Sequence, residues 1–227
     1  MSDPPPQGGR EIPTVVRTTV PSSWSWMRLD LLVRLLPLTL VPLLFSRFTE
    51  TRLRNFGLVV SHPVHDLLVA IPLGIAAFAI AAAFAAYLSR RSGRWFVPST
   101  PDLLVQSAYY LFLNAPVEEW FFRGFIQGGL ARWWNAPVLA LLVATAVFGG
   151  YHFLDRWGWR PVGGATAAGL TLGLIYLLQP SPPSLLAPVL VHAAITCGFL
   201  SVGPYLIYRW RTPTLSSSAS ARGNGIV

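Results

Sequence analysis

Residues 67–88, LLVAIPLGIAAFAIAAAFAAYL, run for 22 positions without a charged side chain. A spanning helix needs about 20 mainly apolar residues, so this block is long enough to cross a bilayer. The rest of the chain agrees with it. Of 227 residues, 53% are hydrophobic and only 11% charged, against about 25% charged in ordinary soluble domains; the mean hydropathy is +0.51. So few charges cannot cover a water-exposed globule of this size. Disordered, collagenous and disulfide-stapled classes are excluded by the same composition.

Working outward from that block, the apolar pattern predicts an all-α, polytopic transmembrane bundle of about six spans: 29–46, 67–88, 102–131, 137–154, 163–179 and 185–208. Residues 1–28 and 209–227 are read as disordered tails. Residues 29–100 are read as N-terminal membrane helices without a motif, and 101–208 as a functional core. The third span is overlong and holds Pro116, where a kink is expected. Its start is well marked by Ser99, Thr100, Pro101 and Asp102.

The formal charge is +8, and all 17 basic residues are arginine. They lie in small groups between apolar blocks, as in loops at a membrane surface, and not on one face as in a nucleic-acid binder. Eleven fall on one side of the span model: Arg10, Arg17, Arg28, Arg90, Arg91, Arg94, Arg156, Arg160, Arg209, Arg211 and Arg222. Four fall on the other: Arg47, Arg52, Arg54 and Arg132. The excess puts both termini in the cytoplasm, in a multi-pass protein of a prokaryotic plasma membrane. Tryptophans gather near the proposed span ends. Arg34 and Arg123 lie inside spans.

Within the last four spans the ionisable residues are Glu118, Glu119, Arg123, His152 and His192, each costly in hydrocarbon unless partnered or wet. Glu119 and Arg123 are four apart in the favourable order for a helical ion pair. Glu118 points about 100° away and lacks that partner, which suits it to proton transfer. His152 ends the run Phe148-Gly149-Gly150-Tyr151-His152, and His192 is followed one turn later by Thr196. One acid and two histidines from three helices could converge on a water for hydrolysis, by a carboxylate base or through a metal such as zinc. A structural ionic lock is the bland alternative. His62 and His65 fit a membrane interface, Gly169 and Gly173 fit close helix packing, and Cys197 a small core residue.

These residues resemble a known set. Glu118 to Gly124 is similar to the EExxxR motif of the CPBP family, the CAAX proteases and bacteriocin-processing enzymes also called Abi. Phe148 to His152 is similar to its FxxxH motif, Gly169 to Tyr176 to its glycine-containing helix, and His192 to its later histidine motif. The resemblance covers about residues 101–200. It implies an intramembrane endopeptidase acting on a peptide or protein substrate at the lipid membrane, with Glu118 and His152 activating water. It assigns His192 and position 196 to the oxyanion, and Glu119, Arg123 and Phe148 to support. Members are commonly called metalloproteases; the favoured mechanism requires no cofactor, and zinc, if bound, would fall to Glu118, His152 and His192. Position 196 is Thr where the pattern expects Asn.

Two other functions fit parts of the sequence. A proton-coupled transporter would use Glu118 and the histidines as a relay, although neither repeated halves nor paired broken helices are visible. A catalytically silent scaffold or immunity-type protein is the reading that Thr196 favours. By residue count Glu118 lies near mid-span, His152 at the cytoplasmic end and His192 in the opposite half. For the three to meet, 137–154 must continue past Asp155, or a span must tilt or re-enter.

Overall fold

The computed structural model describes residues 14–154 and 158–211. The element order is β1 (Thr14–Thr18), α1 (Val20–Thr49), α2 (Pro63–Ser92), β2 (Arg94–Pro98), α3 (100–134), α4 (Pro137–Tyr151), α5 (Trp159–Leu177), α6 (Leu186–Leu200) and α7 (Val202–Arg211). A single 3₁₀ turn, Leu53–Phe56, interrupts the link from α1 to α2. The expected all-α class holds, with one small addition. β1 and β2 pair in parallel, Thr14 opposite Arg94 and Thr18 opposite Pro98.

That pairing corrects the expected N-terminal tail. Residues 14–18, TVVRT, are rich in β-branched side chains, and β2 supplies the partner strand they need. The next residues open α1, which runs from Val20 instead of 29. Asp102, fully buried, accepts from Thr18 Oγ1 at 2.5 Å and from Gln106 Nε2 at 2.9 Å, and Gln106 also donates to Ser23 Oγ. The start of α1 is thus stitched to the start of α3. At the other end, residues 209–211 belong to α7 and not to a tail. The tail segments 1–13 and 212–227 lie outside the described residues.

Each expected span coincides with a helical segment, but among the described residues only α1 and α2 are long and apolar enough to cross a membrane by themselves. The pair α6 and α7, bent by 43° at a break around Ser201, makes a third when taken as one span. The others fall short for separate reasons. α4 has 15 residues, a rise of about 22 Å. α3 carries Asp102, Glu118, Glu119, Arg123 and Arg132, and α5 falls short in apolarity. On α1 and α2 the large apolar side chains face outward: Leu32 is 65% exposed, Ile75 68% and Ile80 71%. In water such a surface would be a liability; against lipid it is the contact face.

α2 and α6 run side by side in the same direction. Gly198 permits this: a Cβ there would come within 2.6 Å of the Phe78 carbonyl oxygen. α4 packs on α5 by the same device, since a Cβ at Gly169 would meet Phe148 Cδ1 at 2.7 Å. Gly164, Gly169 and Gly173 of α5 therefore serve packing, as the spacing of Gly169 and Gly173 predicted, whereas Gly163 has open space at its Cβ.

Two prolines inside helices are met in the same way. A helical proline lacks its N–H and crowds the carbonyl four residues back. In α1 a π-helical turn, Leu31–Leu35, immediately precedes Leu36-Pro37; in α3 another, Tyr110–Asn114, precedes Ala115-Pro116. The N–H of Leu36 reaches Leu31 O and that of Ala115 reaches Tyr110 O, five residues back. At Pro116, then, the expected disturbance takes the form of a π turn.

Candidate active site

The site grows from the centre of α3. Asn114 and Glu118 stand four residues apart, and Asn114 Nδ2 donates to Glu118 Oε1 at 2.7 Å. Glu119 and Arg123 form the expected ion pair, Nε to Oε2 at 3.2 Å. All four side chains are buried, Glu119 completely. Arg123 reaches α5 by donating from Nη2 to Gly169 O at 2.9 Å, and its guanidinium lies 4.5 Å from the centre of the Phe148 ring in α4. One pair on α3 thereby fixes two further helices.

His192 comes from α6. Its Nδ1 is 2.6 Å from Glu119 Oε1, and its Nε2 is 3.7 Å from Glu118 Oε2. A carboxylate can only accept, so Nδ1 carries the proton and Nε2 faces Glu118. The 3.7 Å separation exceeds a direct hydrogen bond. His152 caps the C-terminus of α4, with Nδ1 at 2.7 Å from Phe148 O. A carbonyl also only accepts, so the lone pair of the neutral ring sits on Nε2. His152 feels the charges of Glu118 and His192. Both histidine rings pack on Phe148, at 4.6 Å for His152 and 6.0 Å for His192. Phe148 is therefore the shared wall of the cluster.

A longer α4 is not what brings the site residues together. That helix stops at Tyr151, short of the expected 154. The turn ending at Gly57 lies against Gly124, where a Cβ would strike the Phe56 carbonyl, and Leu185 N donates to Gly57 O at 3.3 Å. α6 thus starts at the level of Gly124. Seven residues on, about 10 Å deeper, His192 reaches the level of Glu119, which lies five residues, about 7.5 Å, back along α3.

Glu118 is not without a partner, contrary to the reading from spacing. Arg34 of α1 places Nη1 at 3.1 Å from Glu118 Oε1. Arg34 is itself forked onto Asp30, Nε to Oδ1 at 2.5 Å and Nη2 to Oδ2 at 2.8 Å. Tyr109 of α3 donates its hydroxyl to the same Asp30 carboxylate, and the Tyr151 ring centre is 5.9 Å from the guanidinium. Sequence reasoning missed Arg34, Asp30, Asn114 and Tyr109. The signal existed: Arg34 was a charge inside a span, with an acid four residues before it.

Thr196 lies one turn beyond His192, half-buried, and its hydroxyl makes no hydrogen bond among the described residues. His62 caps the start of α2, and His65 Nδ1 is 3.7 Å from buried Asp66, far along the chain from the cluster. Among the described residues no three or more His, Cys, Asp or Glu side chains group as metal ligands. Three of the four carboxylate oxygens are engaged, Glu118 Oε1 by Arg34 and Asn114 and both oxygens of Glu119 by Arg123 and His192, while Glu118 Oε2 stands 3.7 Å from His192 Nε2.

Carboxylates and histidines buried together inside a helical bundle with lipid-facing walls define a membrane-embedded protein with a polar centre. Residues 98–198 match the family model described as Rce1-like, type II CAAX prenyl endopeptidase Rce1-like; over that stretch the chain is similar to the CAAX proteases that its motifs resemble. The matched stretch contains Asn114, Glu118, Glu119, Arg123, Phe148, His152 and His192; Asp30 and Arg34 lie outside it. The family is one of membrane endopeptidases, and hydrolysis of a peptide bond is the activity class the match carries. No curated protein and no solved structure shows a significant match to the chain.

Proposed function

We propose that the protein is an intramembrane endopeptidase that cleaves a peptide or protein close to a membrane-anchored end, using water activated by Glu118 and His152. The observation that carries this reading is the division of the Glu118 carboxylate. Oε1 is taken by Asn114 and Arg34, while Oε2 faces His192 Nε2 across 3.7 Å. A water about 2.8 Å from each atom fits beside that gap.

In the proposed step, water gives a proton to Glu118 Oε2 and its oxygen adds to the carbonyl carbon. In this scheme the oxyanion is met by His192, which needs a second proton, on Nε2, to donate to it, with Glu119 as its counter-charge. The C–N bond then breaks as the proton held by Glu118 passes to the leaving nitrogen, giving a carboxylate and an amine. His152 Nε2 is the second acceptor for the attacking water. No cofactor enters this scheme. Support for a metal-free site comes from the Arg34 guanidinium, which already supplies positive charge at Glu118. A zinc ion would have to compete with it.

The topology we propose has six crossings, α1 to α5 and the bent pair α6–α7, with both termini cytoplasmic in a prokaryotic plasma membrane. An even number of crossings returns the chain to its starting side, and the arginine excess lies there.

The test is cleavage of membrane-anchored and prenylated peptides by the full chain in detergent. Wild type is expected to cleave at least one, and Glu118→Ala to abolish this with the fold intact. Turnover unchanged in Glu118→Ala removes the proposed base. The silent scaffold is the second reading, favoured by the unbonded Thr196 hydroxyl, and a wild type inert across a broad peptide library would establish it.

A further inference from the structure

The family motifs account for the charged side chains of the cluster except the cation on Glu118, Arg34, and its partner Asp30. We propose that Arg34 is a positioning residue for the hydrolytic step: with Asn114 it holds Oε1 of Glu118, so that Oε2 is the oxygen presented to His192 and to water. α1 is then part of the catalytic unit and more than a membrane anchor. This role rests on the endopeptidase reading above.

Three observations carry the proposal. The first is the ion pair with Asp30, in which Nη2 donates a hydrogen bond, Nε lies in ion-pair contact and Tyr109 is bound to the same carboxylate. The guanidinium plane is thereby fixed on its own helix, and Nη1 is the nitrogen that reaches α3, at 3.1 Å. The second is a matched backbone. Arg34 lies in the π turn before Leu36-Pro37 and Asn114 in the π turn before Ala115-Pro116. A π turn takes one more residue than an α turn and so rotates the side chains that it carries; such turns often mark functional sites. Here two of them deliver donors from two helices to one carboxylate oxygen. The third is location. Arg34 sits outside residues 98–198, so the family match does not assign it.

The chemistry follows from the two oxygens. A carboxylate free to rotate can present either oxygen to water, and its charge is unbalanced in an apolar bundle. With Oε1 held by a cation and an amide, the charge is balanced and Oε2 stays aimed. Around Glu118 the charged and titratable side chains are Asp30 and Arg34 from α1, Tyr109, Glu119 and Arg123 from α3, Tyr151 and His152 from α4, and His192 from α6.

The test uses the full chain in detergent with a farnesylated peptide ending in a CAAX sequence. Arg34→Gln is expected to lower kcat about 10–100-fold with KM within about threefold, the signature of a misaimed group. Arg34→Lys should recover part of that loss. In Arg34→Ala, millimolar methylguanidinium should restore turnover, which a purely structural role would not allow. Turnover of Arg34→Gln within about twofold of wild type overturns the proposal, as does recovery with neither Lys nor methylguanidinium. Should Arg34→Gln fail to fold, Asp30→Asn decides, because it loosens the ion pair while leaving the groups on Glu118 in place. A loss of threefold or more there supports the role, and unchanged turnover overturns it. A wild type that cleaves no peptide ends the endopeptidase reading and this role with it, an outcome distinct from an active wild type with an equally active Arg34→Gln.

Discussion

His192 Nδ1 lies 2.6 Å from Oε1 of Glu119, joining residues 73 positions apart on helices α6 and α3. The contact orients the imidazole so that Nε2 turns to the neighbouring Glu118, and it makes Glu119 the hub of three helices through Arg123 and Gly169 O. In the proposed mechanism, support and chemistry are thereby separated between two consecutive acids.

That separation predicts opposite phenotypes for the two acids. Glu119→Ala strands the buried Arg123 cation, a loss of about 3–5 kcal/mol for a broken buried pair. Thermal unfolding in detergent should show a clear drop in Tm for Glu119→Ala and a much smaller one for Glu118→Ala. Equal drops would mean that both acids are structural.

Thr196→Asn is expected to raise turnover. An amide at this position can reach further than a hydroxyl, and one oxyanion donor is worth about 10²–10³ in rate in other enzymes. A gain of about tenfold in kcat on a peptide that wild type already cleaves is the expected result. No gain would remove position 196 from the oxyanion side of the site.

Gly169→Val should injure the site from behind. Its side chain would enter the space of the Phe148 ring, whose faces and edge hold Arg123, His152 and His192. Overpacking of this kind costs about 1–3 kcal/mol. Loss of both Tm and turnover is expected, whereas Gly150→Ala, with open space at its Cβ, should leave Tm unchanged.

Pro116→Ala probes the π turn. Restoring an N–H at 116 lets α3 return to i→i−4 bonding, which would swing Asn114 away from Glu118. Turnover should fall several-fold while Tm holds or rises. A fall in Tm with unchanged turnover would show that the turn serves only the proline.

The helices were legible because their signals are local. The apolar blocks, the helix start at Ser99 to Asp102 and the i,i+4 spacing of Glu119 and Arg123 all act within a few residues; α3 does start there, although the Ser99 side chain makes no cap hydrogen bond, and the ion pair forms. β1 escaped notice because TVVRT needs a partner strand some 80 residues away, and nothing near it announces one. Helix ends misled as well: counting residues from assumed boundaries put His152 and His192 at different depths.

What the amino-acid order determined by itself is an apolar helical bundle with a few charges that lipid would not tolerate, since hydropathy and helical period are properties of the neighbouring residues. Which oxygens those charges meet was decided only in three dimensions. The π turns before Pro37 and Pro116, the turn packed under Gly124 and the docking of α1 set the distances among Arg34, Glu118 and His192. Electrostatics and hydrogen bonding act over a few ångströms of space, and separation along the chain does not record those distances.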